Sequence, residues 1–254
     1  MVEAKRGQEP PHPEGLTQVQ ERLAHLLFDT KTQAKVRRRV VLPDGQYQFN
    51  EIVRPTSPID FAQSGEFALK LHERLPHAPL SPIYINLRNL PEEVLDGVGQ
   101  SMAEIPSTKT PDFCTGIPNA GTPLAQAYSR HSGLEYVDIF GKEETSEGRR
   151  ITAGTKDYKG GEVRLIDDLV TQADTKLEAI KAAESLGLTV TDIFVLVDRE
   201  QGGKQQLQKQ GHDLQSIFTL KQMLEFYLRT GKINPQTYNE TVQGLQALNK
   251  FLGI

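Results

Sequence analysis

The chain has one cysteine, Cys114, in 254 residues. That excludes an internal disulfide framework and fits a reducing compartment; Cys114 itself reads as apolar strand filler. No apolar stretch approaches the roughly 18 residues of a membrane-spanning helix, and the first residues have no signal-peptide core. A soluble, cytoplasmic protein is expected. Neither charge sign dominates: 29 basic against 33 acidic residues leave a net charge of −4. A general nucleic-acid or membrane surface is therefore excluded, and the basic run of residues 35–39 reads as a solvated face. There is no internal repeat. No cysteine or carboxylate at metal-site spacing accompanies His72, His77 or His212, so no metal ligand is assigned.

What is present suffices for one full core, or one domain with an appendage. Residues 1–14, with Pro10, Pro11 and Pro13, read as a disordered tail. Residues 15–59 read as an N-terminal extension. It holds a short amphipathic helix (17–27) and a hairpin (36–53) turning at Pro43-Asp44-Gly45. From about residue 60 strands and helices alternate. Strands are expected at 81–87, 112–115, 135–140, 163–166, 189–197 and 216–219. Helices are expected at 91–105, 122–131, 176–186, 220–230 and 235–251. The polar, glycine-bearing residues 141–160 read as a mobile loop. This alternation predicts an α/β domain over 60–254, with a mostly parallel sheet covered on both faces and ligands at the strands' carboxyl ends.

The most informative run is Glu162 to Thr175. An apolar strand delivers Asp167 and Asp168, a short turn from Thr171 follows, and a helix starts near Lys176. Such a corner holds a sugar phosphate: the acids take ribose hydroxyls or a metal, and the turn's N–H groups face the phosphate. The alternative is a corner whose acids only cap the helix.

Four strings together resemble the orotate phosphoribosyltransferase family of type I phosphoribosyltransferases. They are Phe67-Ala68-Leu69-Lys70 with Ser81-Pro82-Ile83-Tyr84-Ile85-Asn86-Leu87-Arg88; Gly116-Ile117-Pro118-Asn119-Ala120-Gly121-Thr122-Pro123-Leu124-Ala125; Val197-Asp198-Arg199-Glu200-Gln201-Gly202-Gly203; and Phe218-Thr219-Leu220-Lys221-Gln222-Met223-Leu224. The resemblance covers about residues 60–254. It implies a type I phosphoribosyltransferase fold, with a small hood built from residues near 60–88 and the C-terminal segment, and a homodimer. It also implies transfer of phosphoribose from phosphoribosyl pyrophosphate (PRPP) to orotate N1, with Mg²⁺ bound on the pyrophosphate. By the same resemblance Asp167 and Asp168 hold the ribose hydroxyls. Thr171, Ala173, Asp174 and Thr175 belong to the 5′-phosphate loop. Arg199 faces the orotate carboxylate, Lys70 lies near the substrates, and Lys142 belongs to a basic catalytic loop lent by the dimer partner.

The chain also departs from the family's pattern. Gly141, Thr145 and Glu147 stand where the family's catalytic loop has arginine, a second lysine and histidine or tyrosine. Arg149, Arg150, Lys156 and Lys159 are candidate replacement cations. In the phosphate loop, Ala173 and Asp174 replace a glycine and a hydroxyl residue. A carboxylate ~5 Å from a phosphate charge costs about 3 kcal/mol at an effective dielectric of ~20. Two classes follow: an orotate phosphoribosyltransferase or close variant using another carboxylated base, and a non-catalytic homologue that keeps the fold as a binding or regulatory protein.

Overall fold

The structure, a computed structural model, describes residues 15–62, 67–145, 148–155, 158 and 160–254. The tail expected at 1–14 lies outside these. In chain order the elements are α1 (Gln18–Asp29), β1 (Thr32–Val41), β2 (Tyr47–Thr56), β3 (Ile59–Phe61), β4 (Ile83–Ile85), α2 (Glu92–Ala103), β5 (Phe113–Gly116) and α3 (Gly121–Ser132). Then come β6 (Glu135–Tyr136), β7 (Phe140–Thr145), β8 (Gly148–Ala153), β9 (Glu162–Val170), α4 (Asp174–Ser185), β10 (Thr189–Asp198), α5 (Gly203–Lys209), β11 (Leu214–Thr219), α6 (Leu220–Arg229) and α7 (Pro235–Leu252).

The centre is a five-stranded sheet in the order β11-β10-β9-β5-β6, parallel throughout. Apolar side chains cover both its faces in two clusters. One gathers Cys114, Ile166, Phe194 and Leu196 with α1, α2, α3 and α6; the other gathers Val163, Leu165, Ile193 and Val195 with α4 and the β7–β8 hairpin. Two-sided burial is why these strands read as continuous apolar runs rather than alternating ones. Buried Cys114 has its thiol pushed up to about 12, chiefly by desolvation, so it is inert packing.

Local signals set the helix ends. Thr17 and Gln20 form a reciprocal capping box on α1, Thr219 and Gln222 do the same on α6, and Asn234 caps α7 just before Pro235. Helix α1 joins the main core rather than standing apart. Leu23, Ala24 and Leu27 are fully buried, and the Tyr227 hydroxyl donates to Ala24 O at 3.0 Å. The β1–β2 hairpin forms as expected but longer, pairing Thr32↔Thr56 through Val41↔Tyr47.

Four expectations need correction. The strand expected at 81–87 shrinks to β4, which pairs only with β3, outside the main sheet. The strand expected at 135–140 splits, because only Glu135 and Tyr136 reach the sheet and Phe140 opens the next hairpin. Within the mobile loop expected over 141–160, residues up to Thr145 and from Gly148 to Ala153 form, with Phe140, the antiparallel β7–β8 pair; it is anchored by buried Ile151, whose N–H donates to Glu178 Oε1 of α4 at 2.9 Å. Finally, β9 does not stop at Ile166. It runs through both acids to Val170, because β10 continues beside it as far as Asp198.

Candidate active site

The carboxyl end of the sheet gathers three loops. Strand β5 pairs with β9 only up to Gly116↔Ile166, so Asp167 and Asp168 lie just beyond its end, while β10 still supports them on the other side. Gly121 opens α3 directly against this point: a Cβ built there would lie 2.3 Å from Ile166 O and 3.2 Å from the Asp167 Cα. Only glycine permits that approach.

The two acids differ. Asp167 is 5 % exposed, and its Oδ2 accepts from Lys176 Nζ at 2.6 Å. Its Oδ1 accepts from the Asp168 N–H at 2.8 Å. The Lys176 ammonium also donates to Leu169 O. Asp168 accepts from the Leu169 N–H at 2.8 Å. Its carboxyl is raised to about 7, first by desolvation and then by the Asp167 charge, with Lys176 pulling the other way.

This has a consequence for stability. An aspartate in the unfolded chain titrates near ~3.9. The folded state therefore holds this proton more tightly, and the stability it supplies below about pH 4 is lost as pH rises through about 7. Asp168→Asn should accordingly melt higher than the parent at about pH 8, with the gap closing towards about pH 5. A lower melting temperature than the parent at the alkaline end would contradict this.

The turn after β9 carries Thr171, Gln172 and Ala173 into α4. Ala173 is buried, and its N–H donates to Gln206 Oε1 at 2.9 Å. Asp174 and Thr175 are exposed on the first turn of α4, where a carboxylate is favoured by the helix N-terminus. The turn is fastened to the loop after β10 by two backbone hydrogen bonds, Arg199 N to Val170 O at 3.0 Å and Gly203 N to Thr171 O at 2.9 Å.

That second loop aims Arg199. Glu200 adopts φ 57°, with its N–H bonded to Asp198 Oδ1 at 2.8 Å, and its Oε2 accepts from the Lys221 N–H at 3.0 Å. Glu200 is thus committed to α6 and does not pair with Arg199. The Arg199 Nε is buried without a hydrogen-bond partner, and desolvation lowers the guanidinium pKa. Arg199 lines a cavity of about 300 Å³ with Leu220, Leu224, Tyr238, Val242 and Leu245 among its walls. Helix α7 roofs it: Gln201 Nε2 bonds Asn249 Oδ1 at 2.7 Å, and Gly244 sits against Pro82. The C-terminal segment that walls the cavity therefore also packs against the residues near 82.

Other expected residues stand less close. Lys70 is exposed on a single 3-10 turn, Lys70–Glu73, and does not line the cavity. Lys142 lies on β7 opposite Ile151. Its side chain, and those of Thr145 and Arg149, fall outside the described residues, as do residues 147, 156 and 159 altogether. Arg150 is exposed on β8.

Sequence reasoning missed Lys176, Gln206 and Gly203. Lys176 had a signal: it falls at helical spacing with Ile180 and Ala183, on the face that is buried.

No family model matches the chain. Among curated proteins, the orotate phosphoribosyltransferase of Aquifex aeolicus is 31% identical over 159 residues, which cover 59% of this chain and 86% of that protein. The chain belongs to the orotate phosphoribosyltransferase family. Among solved structures, the family resemblance extends to the UMP synthase of Leishmania donovani, with TM-score 0.58 and 30% identity; 77% of this chain aligns, but only 39% of that one. The chain thus spans well under half of such a synthase. The orotate phosphoribosyltransferase of Mycobacterium tuberculosis, solved with PRPP, shares the fold at TM-score 0.52 and 18% identity, over 81% of this chain and 98% of that one. These likenesses establish an α/β, type I phosphoribosyltransferase-like fold.

Proposed function

We propose that the protein is an orotate phosphoribosyltransferase of pyrimidine nucleotide synthesis, joining N1 of orotate to C1′ of PRPP and releasing pyrophosphate. The observation that carries this is Arg199. A half-buried arginine whose buried Nε has no partner, set in a cavity walled by Leu220, Leu224, Tyr238, Val242 and Leu245 as well as by polar side chains, calls for a flat, carboxylated ligand. The loop that carries Arg199 is hydrogen-bonded to the turn that would take the ribose phosphate. Nothing in the comparisons favours the non-catalytic reading.

In this mechanism Arg199 fixes the base by its carboxylate and the acid pair orients the ribose. N1 and C1′ are held in line while pyrophosphate departs; positioning and charge stabilisation supply most of the rate. Mg²⁺ would come bound on the pyrophosphate of PRPP and supply charge neutralisation there. The β7–β8 hairpin with Lys142 would serve the site of a second copy in a homodimer. No described helix is long and apolar enough to cross a membrane, in keeping with a cytoplasmic enzyme.

The test is orotate consumption with PRPP and Mg²⁺, followed by absorbance, together with calorimetric binding. Arg199→Ala should weaken orotate by about 2 kcal/mol or more, the scale of a lost charge-assisted contact, and leave PRPP affinity nearly intact. Asp174→Ser should leave PRPP affinity equal or tighter, because a negative charge leaves the phosphate turn. Failure of the parent protein to bind orotate at millimolar concentration, with or without PRPP, would end the assignment.

A further inference from the structure

The acid pair contains a third member. Lys176 and Asp167 are both almost wholly buried, with side-chain exposures of 6% and 7%, and their charged atoms stand 2.6 Å apart. An ammonium in such a place costs several kcal/mol to desolvate unless it is fully occupied. Here it bridges two points of the chain, Asp167 and the carbonyl of Leu169 near the end of β9. Each oxygen of Asp167 is engaged internally, one by Lys176 and one by the Asp168 N–H. Asp168 is different: its Oδ1 accepts from the Leu169 N–H, and apart from its neighbour Asp167 no side chain engages its carboxyl among the described residues.

We propose that Lys176 is a positioning residue of this site: its ammonium keeps Asp167 as an internal counter-ion and fixes the bend from β9 into the phosphate turn, leaving Asp168 as the one carboxylate of the pair that binds the ribose hydroxyls. The proposal rests on the phosphoribosyl-transfer reading and divides labour between two adjacent acids that the sequence presents as equivalent. It also explains why a lysine stands on the buried face of α4. Without it Asp167 would be a lone buried charge under the turn, and the turn would lose its tie to the Leu169 carbonyl.

The experiment is calorimetric binding of PRPP with Mg²⁺ to the full chain, paired with the Michaelis constant for PRPP and the melting temperature of each variant. Asp168→Asn should weaken PRPP by about tenfold or more, while Asp167→Asn, which keeps an acceptor for Lys176, should stay within about threefold of the parent. Lys176→Met should weaken PRPP by about tenfold and raise its Michaelis constant in step, because the turn is released. Adding Asp167→Asn to it should recover most of the melting temperature, since the buried charges then leave together, but not the PRPP affinity, because the tie to the Leu169 carbonyl is still missing. A purely structural lysine would lower the melting temperature of Lys176→Met and leave PRPP affinity unmoved at low temperature, which overturns the proposal. Equal losses for Asp167→Asn and Asp168→Asn would overturn it too, by showing both acids at the ribose. If Lys176→Met does not fold, the comparison of the two asparagine variants still decides. PRPP binding and orotate consumption by the parent are the control: their absence removes the phosphoribosyl reading and this inference together, whereas their presence with equal asparagine variants removes this inference alone.

Discussion

Asp192→Ala should lower the free energy of unfolding by about 3–5 kcal/mol. Asp192 lies on β10, away from the carboxyl-end site, and is 1 % exposed. Its carboxylate receives two parallel hydrogen bonds from Arg164 of β9, Nε to Oδ1 and Nη2 to Oδ2, both at 2.7 Å. The guanidinium also donates to the Tyr128 hydroxyl and to Ser107 Oγ, and lies 4.0 Å from the centre of the Phe194 ring. Alanine would leave this cation buried and unpaired between α3 and the sheet. Removing both charges, as in Arg164→Met with Asp192→Leu, should cost far less, because the desolvation of each ion offsets most of their attraction. Urea unfolding measures both variants. A loss below about 1 kcal/mol for Asp192→Ala would show that the network contributes no more than a surface pair.

Gly121→Ala should damage stability and turnover together. The new methyl would meet the Ile166 carbonyl oxygen at 2.3 Å, a backbone atom of the strand that carries the acids. Strand β9 cannot move aside freely, since β5 and β10 flank it. Helix α3 must therefore lift, or the Ile166–Asp167 peptide must tilt. Overpacking of this kind costs about 1–3 kcal/mol. A displacement of about 1 Å at a residue that orients substrate lowers turnover by about 10²-fold. Denaturant midpoints give the first effect. Initial rates of orotate consumption, taken well below the melting temperature, give the second. Parent-like values for both would mean that α3 has slack at its start.

The central sheet was legible because two-sided burial writes itself as uninterrupted apolar runs, as in Ile193 to Val197. The first hairpin was legible through its Pro-Asp-Gly turn. The second was not: the sequence from 141 to 153 is polar and glycine-bearing, and what pins strand β8 is packing of Ile151 against α4, a contact distant in sequence. Helix α5 is short and polar and rests on Gly203, so periodicity has nothing to detect. At the site, the acids and Arg199 could be named from their strings. Their states could not. The isolation of Arg199 depends on α7, about forty residues later, and the pairing of Asp167 depends on how α4 leaves the turn.

The two hydrogen bonds between the turn after β9 and the loop after β10 tie into one frame the places proposed for phosphate and for base. On the phosphoribosyl-transfer reading, a ligand that orders either half would restrain the other, and the first substrate to arrive would bear the entropic cost for both. The second then meets a frame already set. By linkage, orotate tightens PRPP by the same factor that PRPP tightens orotate, whichever comes first.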